Sequence, residues 1–480
     1  VNAVSLTDFL GVLPETLLVL TALVVIVVDA AKTSAWSSRA LPALSILGLA
    51  ASGGAAILTW GSGGTIFDGT VFNDGFSEIF RVLFAVIGIL TLLFSPHYLQ
   101  KKSMRLGEYY ALVLTAVFGM MVMVSAANLL LFFLGLETMS ISLYILAGLQ
   151  RADVKSAEAG MKYLIMGAFS SAFLLYGIAL MYTSIGAVDY VAITEHFATG
   201  AVAPNALLIV SIALLLLGFA FKVAAVPFHF WSPDVYDGSP TTITAFMSTG
   251  PKAAAFVALI RVFGVMLGPL SSLWVTSLTV LAILTMTVGN LSALRQTSVK
   301  RMLAYSAIAH AGYLLVGIVA GTKMAFAGTG YYLAAYALTN LGAFACLILI
   351  DRKPNSGYKF DDFRGVGFSH PVLGAVFTVF LLSLTGVPPT AGFFGKLYVF
   401  STAIQQGHIL LAVIALLNSA IGAYYYLRII TLMYMSKPEG VIEFHEPASY
   451  RFALVVSSVI ILIVGMFPEQ LLQLMLVSVP

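Results

Sequence analysis

The sequence predicts an all-α integral membrane protein of about 14 transmembrane helices, with two inverted five-helix repeats that each contain a broken helix. Three observations predict it. Hydrophobic residues make up 60% of the 480 and charged residues 9%, where a soluble chain carries about 25% charged. Such a chain cannot cover a water-facing surface. Fourteen stretches approach or exceed the roughly 20 mostly apolar residues that a bilayer-crossing helix needs. The basic residues between them fall almost wholly on one side when loops alternate.

The candidate spans are 9–30, 40–60, 76–95, 108–125, 128–149, 158–182, 205–236, 241–267, 274–294, 300–319, 325–350, 371–405, 408–435 and 450–474. The first is not a signal peptide, since Asp8 and Glu15 replace a basic n-region. The longest polar stretch, 351–370, reads as a loop, so no soluble domain is left over. One side receives 16 basic residues: Lys32, Arg39, Lys101, Lys102, Arg105, Arg151, Lys155, Arg295, Lys300, Arg301, Arg352, Lys353, Lys359, Arg364, Lys437 and Arg451. The other receives only Lys323. The basic side is then cytoplasmic and both termini lie opposite.

Residues 108–267 and 274–435 hold five spans each and are 160 and 162 residues long. Five is odd, so the second block is inserted upside down relative to the first. This divides the chain into a three-helix segment (1–107), the first repeat (108–267), the inverted repeat (274–435) and a C-terminal helix (436–480). The fourth helix of each block is too long for one crossing. The 32 residues of 205–236 would reach about 48 Å as a straight helix, and Pro227 should break it five residues after Lys222. In 371–405, Pro388 and Pro389 sit near the centre. Interrupted spans at matching places point to an ion path.

Seven basic residues fall inside spans. Arg81, Arg261 and Arg428 are near helix ends and are expected to snorkel to the interface, although Glu78 stands three residues before Arg81. The others are Lys162, Lys222, Lys252 and Lys396, joined by Glu137 and His310. A charge facing lipid at mid-depth costs about 2.5–3.5 kcal/mol or more. Such a row is therefore either glue between helices or an ion path. Its chemistry suits protons: burial and a nearby carboxylate push a lysine in opposite directions, and imidazole titrates near neutrality. A sodium site would want several oxygen ligands, and Glu137 is the one mid-span carboxylate. His229, in an aromatic stretch, is a packed histidine or a candidate relay.

Other chemistry is poorly represented. Cys346 is the single cysteine, which excludes an internal disulfide and Cys-ligated zinc or iron–sulfur clusters. Nucleotide-binding glycine motifs, paired mid-span histidines for haem, and a dense basic patch for nucleic acid are absent from the sequence. Neither a cofactor nor a metal is expected on this chain.

Four segments carry a resemblance. They are Gly135-Leu136-Glu137-Thr138-Met139-Ser140, the block GFAFKVAAVPFHFWSPDVYDGSPTTITAFMSTGPKAAAF (218–256), RMLAYSAIAHAGYLL (301–315) and LSLTGVPPTAGFFGKLYVF (382–400). Together they resemble the antiporter-like membrane subunits of respiratory complex I, the proton-pumping NADH–quinone oxidoreductase, and most of all its N form, called subunit 2 in mitochondria. The lysine at 396 argues against the M form, and the end after the last span argues against the L form. Thr138 departs from the aliphatic residue expected there.

The resemblance implies that Glu137 and Lys222 form a carboxylate–lysine pair in a first half-channel. It also implies that Lys252 is a central relay, that Lys396 serves the second repeat, and that Lys162 and His310 lie on the hydrophilic axis. It places NADH or another donor, flavin, iron–sulfur clusters and quinone in partner subunits, with subunits M and K as neighbours. The membrane is then a bacterial inner membrane, or an organellar energy-transducing one. The rivals are a subunit of a multisubunit sodium/proton antiporter, a non-transporting scaffold and a redox membrane subunit.

Overall fold

The computed structural model describes every residue except 1–4, 32–33, 61–63, 103, 105, 199–204, 351–357 and 438–447. Part of the 351–370 loop, and Lys32, Arg105, Arg352 and Lys353 of the basic side, therefore lie outside the described residues.

A capped turn, α1 (Leu6–Gly11), precedes α2 (Leu13–Ala30) and α3 (Ser34–Leu58). The sequence reading merged α1 into the first span; Val12, non-helical just before Pro14, separates them. A short hairpin, β1 (Thr65–Ile66) against β2 (Val71–Phe72), pairs Thr65 with Phe72. Next come α4 (Gly75–Lys101), α5 (Leu106–Ser125), α6 (Leu129–Ala147), α7 (Val154–Ile185), α8 (Tyr190–Ala198) and α9 (Ala206–Lys222). Polar caps start the long ones: Asp74, Asn128, Asp153 and Asn205 each accept an orphan backbone N–H.

The break expected at Pro227 is present. The helix stops at Lys222 and resumes as α10 (Trp231–Gly238), followed by α11 (Thr241–Met247) and α12 (Gly250–Leu259). An interruption at Ser248–Thr249 divides what was read as one helix, two residues before Pro251. α12 runs into a π-helical turn, Ile260–Met266.

The rest comprises α13 (Ser271–Leu294), α14 (Val299–Ala320), α15 (Lys323–Ile350), α16 (Val366–Ser369), α17 (Pro371–Thr385), α18 (Ala391–Gln405), α19 (Ile409–Met435), α20 (Ala448–Met466) and α21 (Pro468–Ser478). The break at Pro388–Pro389 separates α17 from α18 as expected. The last span is not straight: α20 and α21 meet at 81°, because Phe467 is non-helical and Pro468 starts a new first turn. The described part of 351–370 is not plain loop but holds a 3-10 turn at Phe360–Phe363 and α16.

The protein is a multi-pass membrane protein. Among the described residues, eleven helices are long and apolar enough to cross a bilayer, or twelve with the bent pair. Ala206–Lys222 and Pro371–Thr385 are apolar but shorter. The difference from the expected fourteen lies in these interrupted segments, which sequence counting treats as whole rods.

The chain divides into two compact units. One is Val1–Val223, Gly250–Ser277 and Val477–Pro480; the other is Ala224–Thr249 and Leu278–Leu476. In the first, α6 packs on α5 and α7, α9 packs on α7, and α12 packs on α4, α5 and α9. The α5–α6 crossing is close because glycines face each other: a Cβ on Gly135 would lie 2.8 Å from the Met123 nitrogen. In the second, α15 is nearly wholly buried against α11, α14, α17, α18 and α20.

Candidate functional site

In the first unit, α6 presents Glu137, Ser140 and Tyr144 along one stripe at helical spacing. Lys222 is the last residue of α9. The expected direct ion pair between Glu137 and Lys222 is not formed. Lys222 Nζ donates to Ser140 Oγ at 2.8 Å and reaches Tyr144 Oη at 3.4 Å. Glu137 instead accepts a short hydrogen bond from Ser171 Oγ on α7. Each charge thus meets a hydroxyl rather than the other charge. Both are half-buried, while Ser140, Ser171 and Tyr144 are buried. A cavity of about 380 Å3 between α6 and α7 has Tyr144 and Arg151 in its wall.

Lys252 is buried in the first turn of α12, directly after the interruption at Ser248–Thr249. Lys162 forms its ion pair within α7. Its side chain is 40% exposed and pairs with Glu158 one turn earlier at 2.7 Å, which is how a lysine sits near the start of an apolar helix. Arg81 and Arg261 do not snorkel. Arg81 is fully buried between Glu15 and Glu78. Arg261 is buried on the π-turn and meets Asp74, the N-cap of α4, at 2.7 Å. Burial works against an ionised Asp74, but Arg261 and the Ser77 hydrogen bonds outweigh it and hold the carboxyl below its usual range. Arg428 is exposed, with its guanidinium over the Phe360 ring.

In the second unit, Lys396 on α18 reaches back across the helix break. Its Nζ donates to the carbonyls of Leu384 at 3.0 Å and Thr385 at 2.8 Å, and to Ser419 Oγ at 2.9 Å. The lysine thus caps the C-terminus of the half-helix α17, where the helix dipole favours a cation. The Tyr313 ring lies 5.3 Å from the same nitrogen. His310 is buried between two phenols, with Nδ1 2.8 Å from Tyr332 Oη and Nε2 3.1 Å from Tyr426 Oη. Tyr426 in turn contacts Ser306. Asn290 links Tyr313 to Tyr425, at 2.8 and 2.9 Å.

His229 is buried in the segment before α10, its ring tilted against Phe230. Nδ1 makes no hydrogen bond, so His229 is joined to neither set through that atom. Lys300, counted with the loops, is buried: its Nζ caps the end of α10 through the carbonyls of Asp237 and Ser239, at 2.9 and 2.6 Å. Among the described residues, no group of three or more His, Cys, Asp or Glu is placed to hold a metal.

This architecture has known counterparts. Residues 126–422 match the family described as NADH:quinone oxidoreductase/Mrp antiporter, TM. NADH-quinone oxidoreductase subunit N of Trichlorobacter lovleyi is 44% identical over 463 residues, covering 96% of this chain and 95% of that protein. The chain belongs to the subunit N family of NADH-quinone oxidoreductases. A chain of respiratory complex I from Thermus thermophilus, solved with bound aureothin, superposes with a TM-score of 0.80 at 34% identity, covering 96% of this chain and 98% of that one. A chain of the Mrp complex from Dietzia has a TM-score of 0.85 at 22% identity over 99% of this chain and 97% of its own, a likeness of fold alone.

The sequence reading of this subunit N family member missed the neutral partners: Ser140, Ser171, Tyr144, Ser419, and the phenols around His310. The only signal for the first group was spacing, with Ser140 and Tyr144 three and seven residues after Glu137.

Proposed function

We propose that this chain moves protons across an energy-transducing membrane as an antiporter-like membrane-arm subunit, driven by quinone reduction elsewhere in the complex. Glu137 and Lys222 form the switch of the first unit, with Ser171, Ser140 and Tyr144 as hydroxyl intermediaries. The cavity beside Tyr144 and Arg151 is its entry from the basic side. Lys252 is the central relay. Lys396, with His310 between Tyr332 and Tyr426, serves the second unit. His229 and Lys162 are subsidiary relays.

The observation that carries this reading is the company kept by two lysines. Among the described residues, Lys222 and Lys396 have hydrogen-bond partners that are all neutral oxygens. A buried ammonium locked to a carboxylate is costly to neutralise. One held by hydroxyls and carbonyls can keep its contacts whether charged or neutral, because a neutral amine still donates two hydrogen bonds and accepts one from a hydroxyl. That is the property a proton carrier needs.

Both lysines flank breaks, α9–α10 and α17–α18, at corresponding places in 108–267 and 274–435. This supports two inverted five-helix repeats, a three-helix segment before them and a C-terminal helix after. The 16-to-1 basic asymmetry supports a bacterial inner-membrane location with both termini periplasmic. Subunits M and K are the proposed neighbours, and donor, flavin, iron–sulfur clusters and quinone belong to partner subunits.

The test is donor-driven ion movement in vesicles containing the assembled complex. Proton uptake that persists without sodium supports this reading. Uptake that stops when sodium is removed favours a sodium/proton antiporter, and an undiminished yield in Lys222→Ala favours a scaffold.

A further inference from the structure

The N-terminal helices carry a second buried charged cluster, remote in sequence from the lysines. Arg81 on α4 is fully buried, and Glu15 on α2 and Glu78 on α4 are 5% and 1% exposed. Arg81 Nε donates to Glu15 Oε1 at 2.8 Å and Nη1 to Glu78 Oε1 at 2.6 Å. Thr59, just past the end of α3, donates to the same Glu78 oxygen at 3.3 Å.

The inventory does not balance. Among the described residues, Arg81 is the one cation paired with either carboxylate. The other ionisable groups on these helices and on the elements packed around them are Asp8, Asp29, Arg39, Asp74, His97, Lys101, Glu108, Lys252 and Arg261. Asp74 is committed to Arg261, and in sequence Arg39 and Lys101 fall at the opposite helix ends from Thr59 and Arg81, 20 residues away from each. Two carboxylates thus share one guanidinium, and an uncompensated charge is costly at this depth. Each carboxylate also has an oxygen without a partner, Glu15 Oε2 and Glu78 Oε2. Glu15 stands in the wall of a cavity of about 510 Å3 whose other walls include Val12, Thr16, Phe118, Val122 and Ser125. An unpartnered, nearly wholly buried carboxylate oxygen is an acceptor in want of a donor, and here the residue that bears it lines a cavity.

We propose that Glu15 and Glu78 hold one exchangeable proton between them, reached through this cavity. The N-terminal three-helix segment is then a protonatable site separate from the lysines. The balance is simple: one carboxylate takes up one proton to become a carboxylic acid, the other stays ionised, and Arg81 stays a cation throughout. In its protonated form the site is neutral overall. It does not rest on the roles given to Lys222 and Lys396.

Infrared difference spectra of membranes containing the assembled complex test it, in H2O and D2O, for wild type against Glu15→Gln and Glu78→Gln. The expected result is one protonated-carboxyl C=O band at neutral pH that shifts in D2O and is lost in both variants. Either substitution leaves one carboxylate matched to one guanidinium. Differences that show only ionised-carboxylate bands would overturn the proposal, as would a protonated band that does not shift in D2O. Should neither variant assemble, Glu78→Asp keeps both carboxyls and should move the band without removing it; an unmoved band would contradict the assignment. These bands do not depend on pumping, so the outcome is separable from that of the lysine variants.

Discussion

Lys396 Nζ lies 2.8 Å from the carbonyl oxygen of Thr385, the last residue of α17, so a side chain from one half of a broken helix closes the open end of the other. This contact couples charge on the lysine to the break. A cation there satisfies carbonyls that have no intrahelical partner.

Replacing Lys396 with Ala should reduce donor-driven proton uptake by about tenfold or more, equivalent to about 1.4 kcal/mol in the barrier. Lys396→Arg should restore the cap, and hence the thermal stability of the complex, but not the uptake, because guanidinium does not release its proton. Parallel measurement of melting temperature and uptake separates the two. If Lys396→Arg pumps normally, the lysine is only a cap.

Ser171 and Ser140 stand where a direct Glu137–Lys222 contact was expected. Ser171→Ala should lower proton uptake several-fold while leaving assembly intact, and Ser171→Thr should recover most of it. Glu137→Gln should impair uptake severely and Glu137→Asp only in part. The double change Glu137→Gln with Lys222→Ala should cost little more than either alone, because residues of one network are not additive. Losses that multiply as independent factors would show that the hydroxyls do not connect them.

How much of this was legible beforehand follows from the range of each interaction. The breaks at Lys222 and before Ala391 were readable because proline acts on its own turn. The places of Glu137, Lys252 and His310 within apolar helices followed from reading along the candidate spans. Arg81 was misplaced because its closeness to a helix end suggested an escape route, whereas Glu15, 66 residues away, closes it. Lys300 looked like an interfacial cation because its role depends on the end of α10, which returns to it through tertiary packing. Ser140 and Ser171 could not be singled out among many serines, since a hydroxyl in an apolar helix normally bonds back to its own backbone, as Ser140 does to Leu136.

Asp74 offers a pH test outside the membrane-spanning segments. Its folded-state carboxyl sits below the ordinary value, so its stabilising contribution is present above the unfolded carboxylate value of about 3.9 and is lost as pH falls through the lower folded one. Stability should therefore be insensitive to this group from neutral pH down to about 4. Asp74→Asn should lower the melting temperature at neutral pH, consistent with about 3–5 kcal/mol for breaking a largely buried pair. That difference should shrink as the pH is taken below about 4. A difference that stays constant down to strong acid would mean that the Arg261 pair is not what stabilises α4.

Lys300 should matter for folding rather than transport. Lys300→Ala leaves the carbonyls of Asp237 and Ser239 without their donor and should destabilise by about 1–3 kcal/mol. Proton yield per electron in the assembled fraction should be unchanged. A lowered yield with unchanged melting temperature would place Lys300 in the proton path instead.

In the proposed mechanism Lys222 carries a proton, with the hydroxyls of Ser140 and Tyr144 as its partners. The most direct measurement is the proton-to-electron ratio in vesicles containing the assembled complex, for wild type, Lys222→Ala and Lys222→Arg. Lys222→Ala is expected to assemble, retain uncoupled quinone reductase activity and lose most of this chain's share of the ratio, and Lys222→Arg is expected not to restore it. An undiminished ratio in Lys222→Ala would contradict the account and return the lysine to a structural link between α6 and α9.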